Sequence, residues 1–155
     1  MPIHIYRNAE FGTFAIKEKN GALTNLYFEA EIPDDEPTDE DTVLITETKK
    51  QLDEYFSGKL KEFTLPLAPE GSEFMKKIWN LLCEIPYGTT TSYKQVAVRA
   101  GNAKASRAVG SANNRNPLPV FVPCHRVIGS DGRLVGFRGG TDMKRKLLDF
   151  ERNHL

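Results

Sequence analysis

Ser92-Tyr-Lys-Gln95-Val-Ala-Val-Arg99-Ala-Gly101-Asn102-Ala-Lys104-Ala-Ser-Arg107-Ala-Val-Gly110-Ser-Ala-Asn113 is the stretch that decides how the second half of the chain folds. Ser92-x-x-Gln95 is a capping-box pattern, in which hydroxyl and amide each satisfy an orphan N–H at a helix start. The helix it opens should stop before Gly101, because glycine readily takes the left-handed backbone of a helix end. Asn102 then caps a second helix, expected over about 103–113. Two short helices across a glycine-containing turn have the outline of a helix-turn-helix. The second helix is rich in small residues: Ala105, Ala108, Gly110, Ser111 and Ala112. Such a face suits close packing on a neighbouring helix or close approach to another macromolecule, and composition does not separate the two.

Downstream, Asn116-Pro117-Leu118-Pro119 reads as a rigid extended connector and Val120-Phe121-Val122 as a buried strand. Ser130-Asp131-Gly132 is a turn and Val135 to Gly140 a glycine-rich loop. Thr141 or Asp142 caps a final helix that turns Met143, Leu147, Leu148 and Phe150 to the core. Upstream, Phe74, Ile78, Leu81 and Leu82 share a helical face, which Pro86-Tyr87-Gly88 ends. Leu65-Pro66-Leu67-Ala68-Pro69-Glu70-Gly71 marks a boundary, so domains are expected over 1–68 and 69–155. In the first domain Ile3 to Tyr6, Phe11 to Ile16 and Leu23 to Phe28 are strand-forming runs, separated by turns at Asn8 and Asn20-Gly21. Leu44, Thr48, Leu52, Tyr55 and Phe56 predict a helix over about 41–56, and Phe63-Thr64-Leu65 is a further strand candidate. The acidic run 33–42, PDDEPTDEDT, reads as a solvated loop whose last acids favour the next helix N-terminus. The fold class is α+β: a small N-terminal sheet-plus-helix domain, then a mostly helical one.

The 155 residues hold 21 Lys/Arg and 21 Asp/Glu, a formal net charge of zero. That balance hides a split. Residues 1–68 carry 7 basic and 14 acidic side chains, and residues 69–155 carry the remaining 14 and 7, so the halves differ in sign. Nucleic acid therefore remains a plausible partner for the second half alone. No apolar run approaches the roughly 20 residues of a membrane span, so no membrane partner is expected. Two cysteines, Cys83 and Cys124, make no disulfide framework, which points to a reducing intracellular compartment.

Cys124 and His125 carry the chemical signal. A thiol is only slightly ionised near neutral pH and needs a base to become a good nucleophile. In an extended chain neighbouring side chains point to opposite faces. A bridging water or a local turn is therefore needed to link thiol and imidazole. The imidazole in turn needs an orienting carboxylate, for which the final helix offers Asp149 and Glu151. Pro123 stiffens the approach to Cys124. Cys83, inside Trp79-Asn-Leu-Leu-Cys-Glu-Ile, is expected to be a small buried thiol.

Pro123-Cys-His-Arg-Val127, with Asn116-Pro117 before it and Gly136-Phe-Arg-Gly-Gly140 after it, resembles the O6-alkylguanine-DNA alkyltransferase family. Tyr87-Gly-Thr-Thr-Thr-Ser-Tyr93, the helix-turn-helix segment and Leu147-Leu-Asp-Phe-Glu151 extend the likeness over about residues 72–151. The resemblance implies a ribonuclease-H-like N-terminal domain and DNA repair by direct damage reversal. An alkyl group would pass from guanine O6 to Cys124 in a single turnover, with no cofactor and no metal. It implies that His125 takes the thiol proton through a water, that Glu151 orients the imidazole, that Tyr93 protonates the departing base and that Asn116 holds the nearby turn. Arg107 would enter the base stack when the nucleotide is flipped out. The helix of Ala105, Ala108, Gly110 and Ser111 would press into the minor groove of double-stranded DNA. Lys104, Arg115 and Arg126 are phosphate-contact candidates, with bracing of a domain interface as the other reading of Arg126.

Pro119, Val127, Val135, Phe137, Arg138 and Gly139 would line the guanine and alkyl pocket. Phe137 and Arg138 depart from the family's usual aromatic followed by a small residue, and so bear on tolerance of larger alkyl groups. His4 is the only His or Cys in residues 1–68, too few for the roughly four ligands of a structural zinc site. A monomer in the cytoplasm, or in the nucleus of a eukaryote, is the expected setting. A non-catalytic binder of alkylated DNA and a helix-turn-helix regulator are the competing readings. The first resembles relatives that carry Trp at the position of Cys124. The second would need base-reading side chains on a helix that has mostly small ones.

Overall fold

The computed structural model describes residues 2–155. The chain divides into two compact units, Met1–Pro69 and Glu70–Leu155. The first is an antiparallel meander of β1 (His4–Asn8), β2 (Gly12–Lys19) and β3 (Ala22–Phe28), followed by α1 (Val43–Phe56). Its turns are written in local chemistry. Asn8 Oδ1 accepts from the amides of Glu10 and Phe11 at 2.9 and 2.8 Å. Asn20 and Gly21 both take positive φ, 52° and 79°, as a tight hairpin turn demands. The register pairs His4 with Ile16 and Phe14 with Phe28.

The Thr42 hydroxyl caps α1 by accepting from Ile45 N at 3.1 Å. The helix buries Ile45, Thr48, Leu52, Tyr55 and Phe56. Phe56 stacks on Phe11, with ring centroids 4.5 Å apart, and on Phe14 at 5.7 Å, so an aromatic cluster forms this core. Phe63-Thr64-Leu65 is not a strand. Gln51 tethers it instead, accepting from Thr64 N at 3.0 Å and donating to Thr64 Oγ1 at 2.9 Å. Pairing with β3 comes later, where Leu23 N donates to Pro66 O and Ala68 N to Leu23 O, both at 2.8 Å. Proline offers only its carbonyl to that contact. The acidic run is also tied more closely than a solvated loop. Ile3 N donates to Glu36 O, Thr38 N donates to Ile3 O, Lys17 pairs with Asp35, and Asp41 pairs with both His4 and Lys49.

The second unit contains α2 (Glu73–Leu82), β4 (Thr91–Ser92), α3 (Tyr93–Arg99), α4 (Ser106–Asn114), β5 (Val127–Ile128) and α5 (Thr141–Asn153). The Ser92–Gln95 capping box forms in full. Trp79 on α2 donates to Ala112 O on α4 at 2.8 Å and anchors the helix pair. β4 and β5 make a short parallel pairing, Thr91 with Val127, that brings the start of α3 beside the Cys124 segment. Among the described residues no helix is long and apolar enough to cross a membrane.

Several expected elements differ. α4 starts at Ser106 rather than 103, because Asn102 does not cap it. Asn102 Oδ1 accepts from Lys104 N at 3.0 Å and its carbonyl from Ala105 N, forming a turn that places Lys104 and Ala105 ahead of the helix. Neither Thr141 nor Asp142 caps α5; Gly140, at φ 88°, is the cap residue and makes no side-chain bond. Cys83 at the end of α2 is exposed, not buried, since Ile78, Trp79 and Leu82 define the inward face. Phe74 is partly exposed on the same helix.

Val120-Phe121-Val122 forms a closed buried turn rather than a strand. Asn116 clamps it, donating from Nδ2 to Val122 O at 2.8 Å and accepting at Oδ1 from Leu118 N at 2.9 Å. Val122 N returns to Leu118 O at 2.9 Å, and Val120 is driven to φ 75°. A β-branched residue rarely visits that region, at a cost of about 1–3 kcal/mol. A buried turn and a buried strand are both continuous apolar runs, so periodicity does not distinguish them. Replacing Ser92 by alanine removes the hydroxyl half of the capping box and should destabilise the second unit by about 1 kcal/mol. A lower urea midpoint at unchanged m-value would register it.

Candidate active site

Residues Cys124–Arg126 form a single 3-10 turn behind Pro123, but the turn does not join thiol and imidazole by a direct hydrogen bond, since His125 Nδ1 has no partner. The turn carries Cys124, His125 and Arg126 into the interior, all buried. Asn113 on α4, which the sequence reading had not singled out, donates to Cys124 O at 3.3 Å. Glu151 on α5 is fully buried. Its Oε2 lies 2.7 Å from His125 Nε2 and 2.9 Å from Arg126 Nη2. Its Oε1 accepts from Arg126 Nε at 2.9 Å and from Gly88 N at 3.1 Å. Arg126 Nη1 donates to Ile85 O at 2.8 Å. Arg126 therefore serves the Glu151 carboxylate and is no phosphate contact. It braces elements within the second unit. Asp149, the other carboxylate considered, is exposed.

Burial alone would raise the Glu151 carboxyl, but the hydrogen bonds and charges of His125 and Arg126 outweigh it. The group lies well below the usual carboxylate range. An ionised carboxylate only accepts, so His125 Nε2 carries the proton and donates it. His125 Nδ1 then holds its lone pair, and it is buried without a hydrogen-bond partner. Burial depresses the imidazole below its ordinary range despite the pull of Glu151, leaving it neutral near pH 7. Burial pushes the Cys124 thiol up to about 11, while Asn116, Lys144 and Arg138 draw it down. The result is a protonated thiol beside a base that has an open acceptor.

Tyr93, at the first position of α3, donates to Val135 O at 2.9 Å. Burial and the neighbouring Cys124 raise its hydroxyl above the ordinary value, so it keeps its proton at neutral pH. Lys144 donates to the same carbonyl at 3.1 Å and is wholly buried. The sequence reading did not single out this lysine; its signal was a position three residues before Leu147 on the inward face of α5.

Of the other sequence candidates, Pro119, Val127 and Phe137 are buried, Gly139 is half-buried, and Val135 and Arg138 are exposed. On α4, Val109, Ala112 and Asn113 face the core. Arg107, Ala108, Ser111 and the following Arg115 are exposed, as is Lys104 in the preceding turn. Gly110 faces Tyr93, where an added Cβ would meet the ring at 3.9 Å, and Ala105 is half-buried. The small residues thus divide between packing (Ala112, Gly110) and an open face (Ala108, Ser111).

The fold and this cluster define an α+β protein in which a helix-turn-helix unit encloses a cysteine backed by a His–Glu pair. Residues 73–153 match the DNA-binding domain of 6-O-methylguanine DNA methyltransferase, and residues 3–69 match its ribonuclease-like domain. The chain belongs to that family. It is 46% identical to the methylated-DNA–protein-cysteine methyltransferase of Methanosarcina mazei over 160 residues, covering 100% of this chain and 99% of that one. It is 42% identical to the constitutive methylated-DNA–protein-cysteine methyltransferase of Bacillus subtilis, covering 97% and 96%. The fold is similar to the crystal structure of Mycobacterium tuberculosis O6-methylguanine methyltransferase, with TM-score 0.88, 35% identity and coverage of 99% and 94%. A Mycobacterium tuberculosis structure in complex with DNA gives TM-score 0.90 at 36% identity, with the same coverage.

Glu151→Ala would leave the Arg126 guanidinium buried without its carboxylate and should cost about 3–5 kcal/mol. The folded Glu151 carboxyl lies below its unfolded value of about 4.3. Its contribution is therefore complete above that value and fades as pH falls toward the folded one. Urea unfolding from pH 7 to pH 3 should show the gap between wild type and variant narrowing on the acid side.

Proposed function

We propose that this protein repairs O6-alkylguanine in double-stranded DNA by moving the alkyl group irreversibly onto Cys124. The observation that carries the reading is the burial together of Cys124, His125 and Glu151, with Glu151 occupying Nε2 and leaving Nδ1 open as the proton acceptor. His125 Nδ1 takes the thiol proton through a water. The Cys124 Sγ lone pair forms a bond to the alkyl carbon, the carbon–O6 bond breaks, and its electron pair stays on guanine. Tyr93 supplies a proton to the departing base, so that neutral guanine leaves and net charge is conserved. The product is a thioether, a very poor leaving group, and the cysteine is spent after one turnover.

The base reaches Cys124 after being flipped from the duplex, at a cost of a few kcal/mol. Arg107 fills the vacated stack, and the open Ala108–Ser111 face of α4 lies in the minor groove, about 6 Å wide. Lys104 and Arg115 meet phosphates. Phe137, Val127, Pro119 and the Val135 to Gly139 loop border the alkyl pocket, with Asn116 holding the turn beside it. The protein acts as a monomer inside the cell.

Incubation with duplex DNA containing O6-methylguanine should add one methyl group to the intact mass, mapped to Cys124 and absent in Cys124→Ser. An unmodified protein, or more than one turnover per molecule, would refute the transfer. Arg107→Ala should slow repair of the duplex at least tenfold while leaving the reaction with free O6-benzylguanine within about twofold, roughly 1.4 against 0.4 kcal/mol. Equal slowing on both substrates would remove the flipping role.

A further inference from the structure

Asn113 on α4 is buried, with 1% of its surface exposed, yet one end of its amide is unused. Nδ2 donates to Cys124 O at 3.3 Å. A carbonyl only accepts, so this bond fixes which end of the amide is nitrogen. Burial and Cys124 raise the Tyr93 hydroxyl and a hydrogen bond from Asn113 draws it back, which sets the same amide against the phenol. Among the described residues the other end, Oδ1, finds no hydrogen-bond partner, and it is buried. An amide oxygen stripped of water and left unpaired costs stability, and leucine would fill a similar space without that penalty. The steps already described make no use of it. The thiol proton goes to His125 Nδ1, and both ends of the other amide nearby, Asn116, are engaged in the turn.

The Asn113 amide thus lies between the two groups through which the transfer runs, the Cys124 segment and the Tyr93 hydroxyl. The chemistry of the base says what its free end can take. Alkylation at O6 removes the proton from N1 of guanine, so N1, N3 and N7 all present lone pairs, and in DNA N9 carries the sugar. The exocyclic 2-amino group is then the one N–H donor on the base. It is bonded to C2, which N1 and N3 flank, so a tyrosine that protonates either nitrogen stands beside it. We propose that Asn113 is a specificity-determining residue, whose Oδ1 accepts a hydrogen bond from the 2-amino group of the alkylated guanine while its Nδ2 stays on the Cys124 carbonyl. This rests on Cys124 being the alkyl acceptor. A purine that carries only hydrogen at C2 leaves Oδ1 unpaired in a closed site. Such a base is rejected by more than the worth of one ordinary hydrogen bond.

The test compares O6-methylguanine with O6-methylhypoxanthine, which differs only in lacking the 2-amino group. Each is placed in the same single-stranded oligonucleotide, so that no base pair has to open. The measurement is the rate at which the full-length protein gains one methyl group by intact mass. Wild type should prefer O6-methylguanine by about tenfold or more, or about 1.4 kcal/mol. In Asn113→Leu the two substrates should react within about twofold of each other. Comparing this ratio between wild type and variant cancels the intrinsic reactivity of the two bases. Asn113→Ser, whose oxygen falls short of the base, should lose the preference in the same way, and it stands in for a leucine variant that fails to fold. A wild type without the preference overturns the proposal. So does a variant that slows on both substrates and keeps the wild-type ratio, which would make Asn113 structural. A wild type that takes no methyl group from O6-methylguanine sinks the transfer reading and the proposal with it, whereas methylation with an unchanged ratio sinks the role of Asn113 alone.

Discussion

Everything in the second unit converges on one buried carboxylate. Glu151 accepts from His125, from Arg126 twice and from Gly88, drawing α5, the Cys124 turn and the loop before β4 to one point. A buried charge is tolerable only when its lone pairs are so occupied, and the loss of one partner leaves the others stranded. The same bonds that hold the elements together also select the His125 tautomer. Stability and proton chemistry are thus set by one group, and Arg126, which reads in sequence as a phosphate contact or an interface brace, belongs to the scaffold of the second unit.

Around that anchor burial moves the proton affinities of several groups away from their values in water. The thiol is pushed up to about 11, the imidazole is kept neutral, and Lys144 is drawn down to about 8. Val120 sits at positive φ beneath the Asn116 clamp. Such strain persists where surrounding structure over-determines it. Here the surroundings are the Glu151 network and the Trp79 bond between α2 and α4. A protein that reacts once need not regenerate its thiol, so the site can be closed and apolar around the sulfur without a release route for a product bound to it.

The second helix of the pair divides its duties by face. Val109, Ala112 and Asn113 look inward, with Asn113 reaching the backbone of the reactive cysteine. Arg107, Ala108 and Ser111 look outward. A single short helix therefore joins the surface proposed to meet DNA to the backbone of the buried cysteine.

The sequence by itself determined what local chemistry controls. The meander and its turns, the Ser92–Gln95 capping box and the helix-turn-helix outline were legible because each depends on residues within a few positions of one another. The failures share the opposite cause. Val120–Val122 reads as a strand because burial on all sides erases periodicity, and only the Asn116 clamp shows that the chain turns back. Asn102 serves a turn rather than a cap, a choice made by where the preceding helix ends. Cys83 is exposed where a buried thiol is expected, and Arg126 is buried away from phosphate, because the inward face of α2 and the position of Glu151 are tertiary facts. Glu151 was one of two carboxylates until α5 was rotated against the Cys124 turn, and Lys144 was one basic residue among fourteen in the second half. The physical reason is range: capping and turn bonds span a few residues, whereas the fate of a charge depends on which distant surfaces close over it.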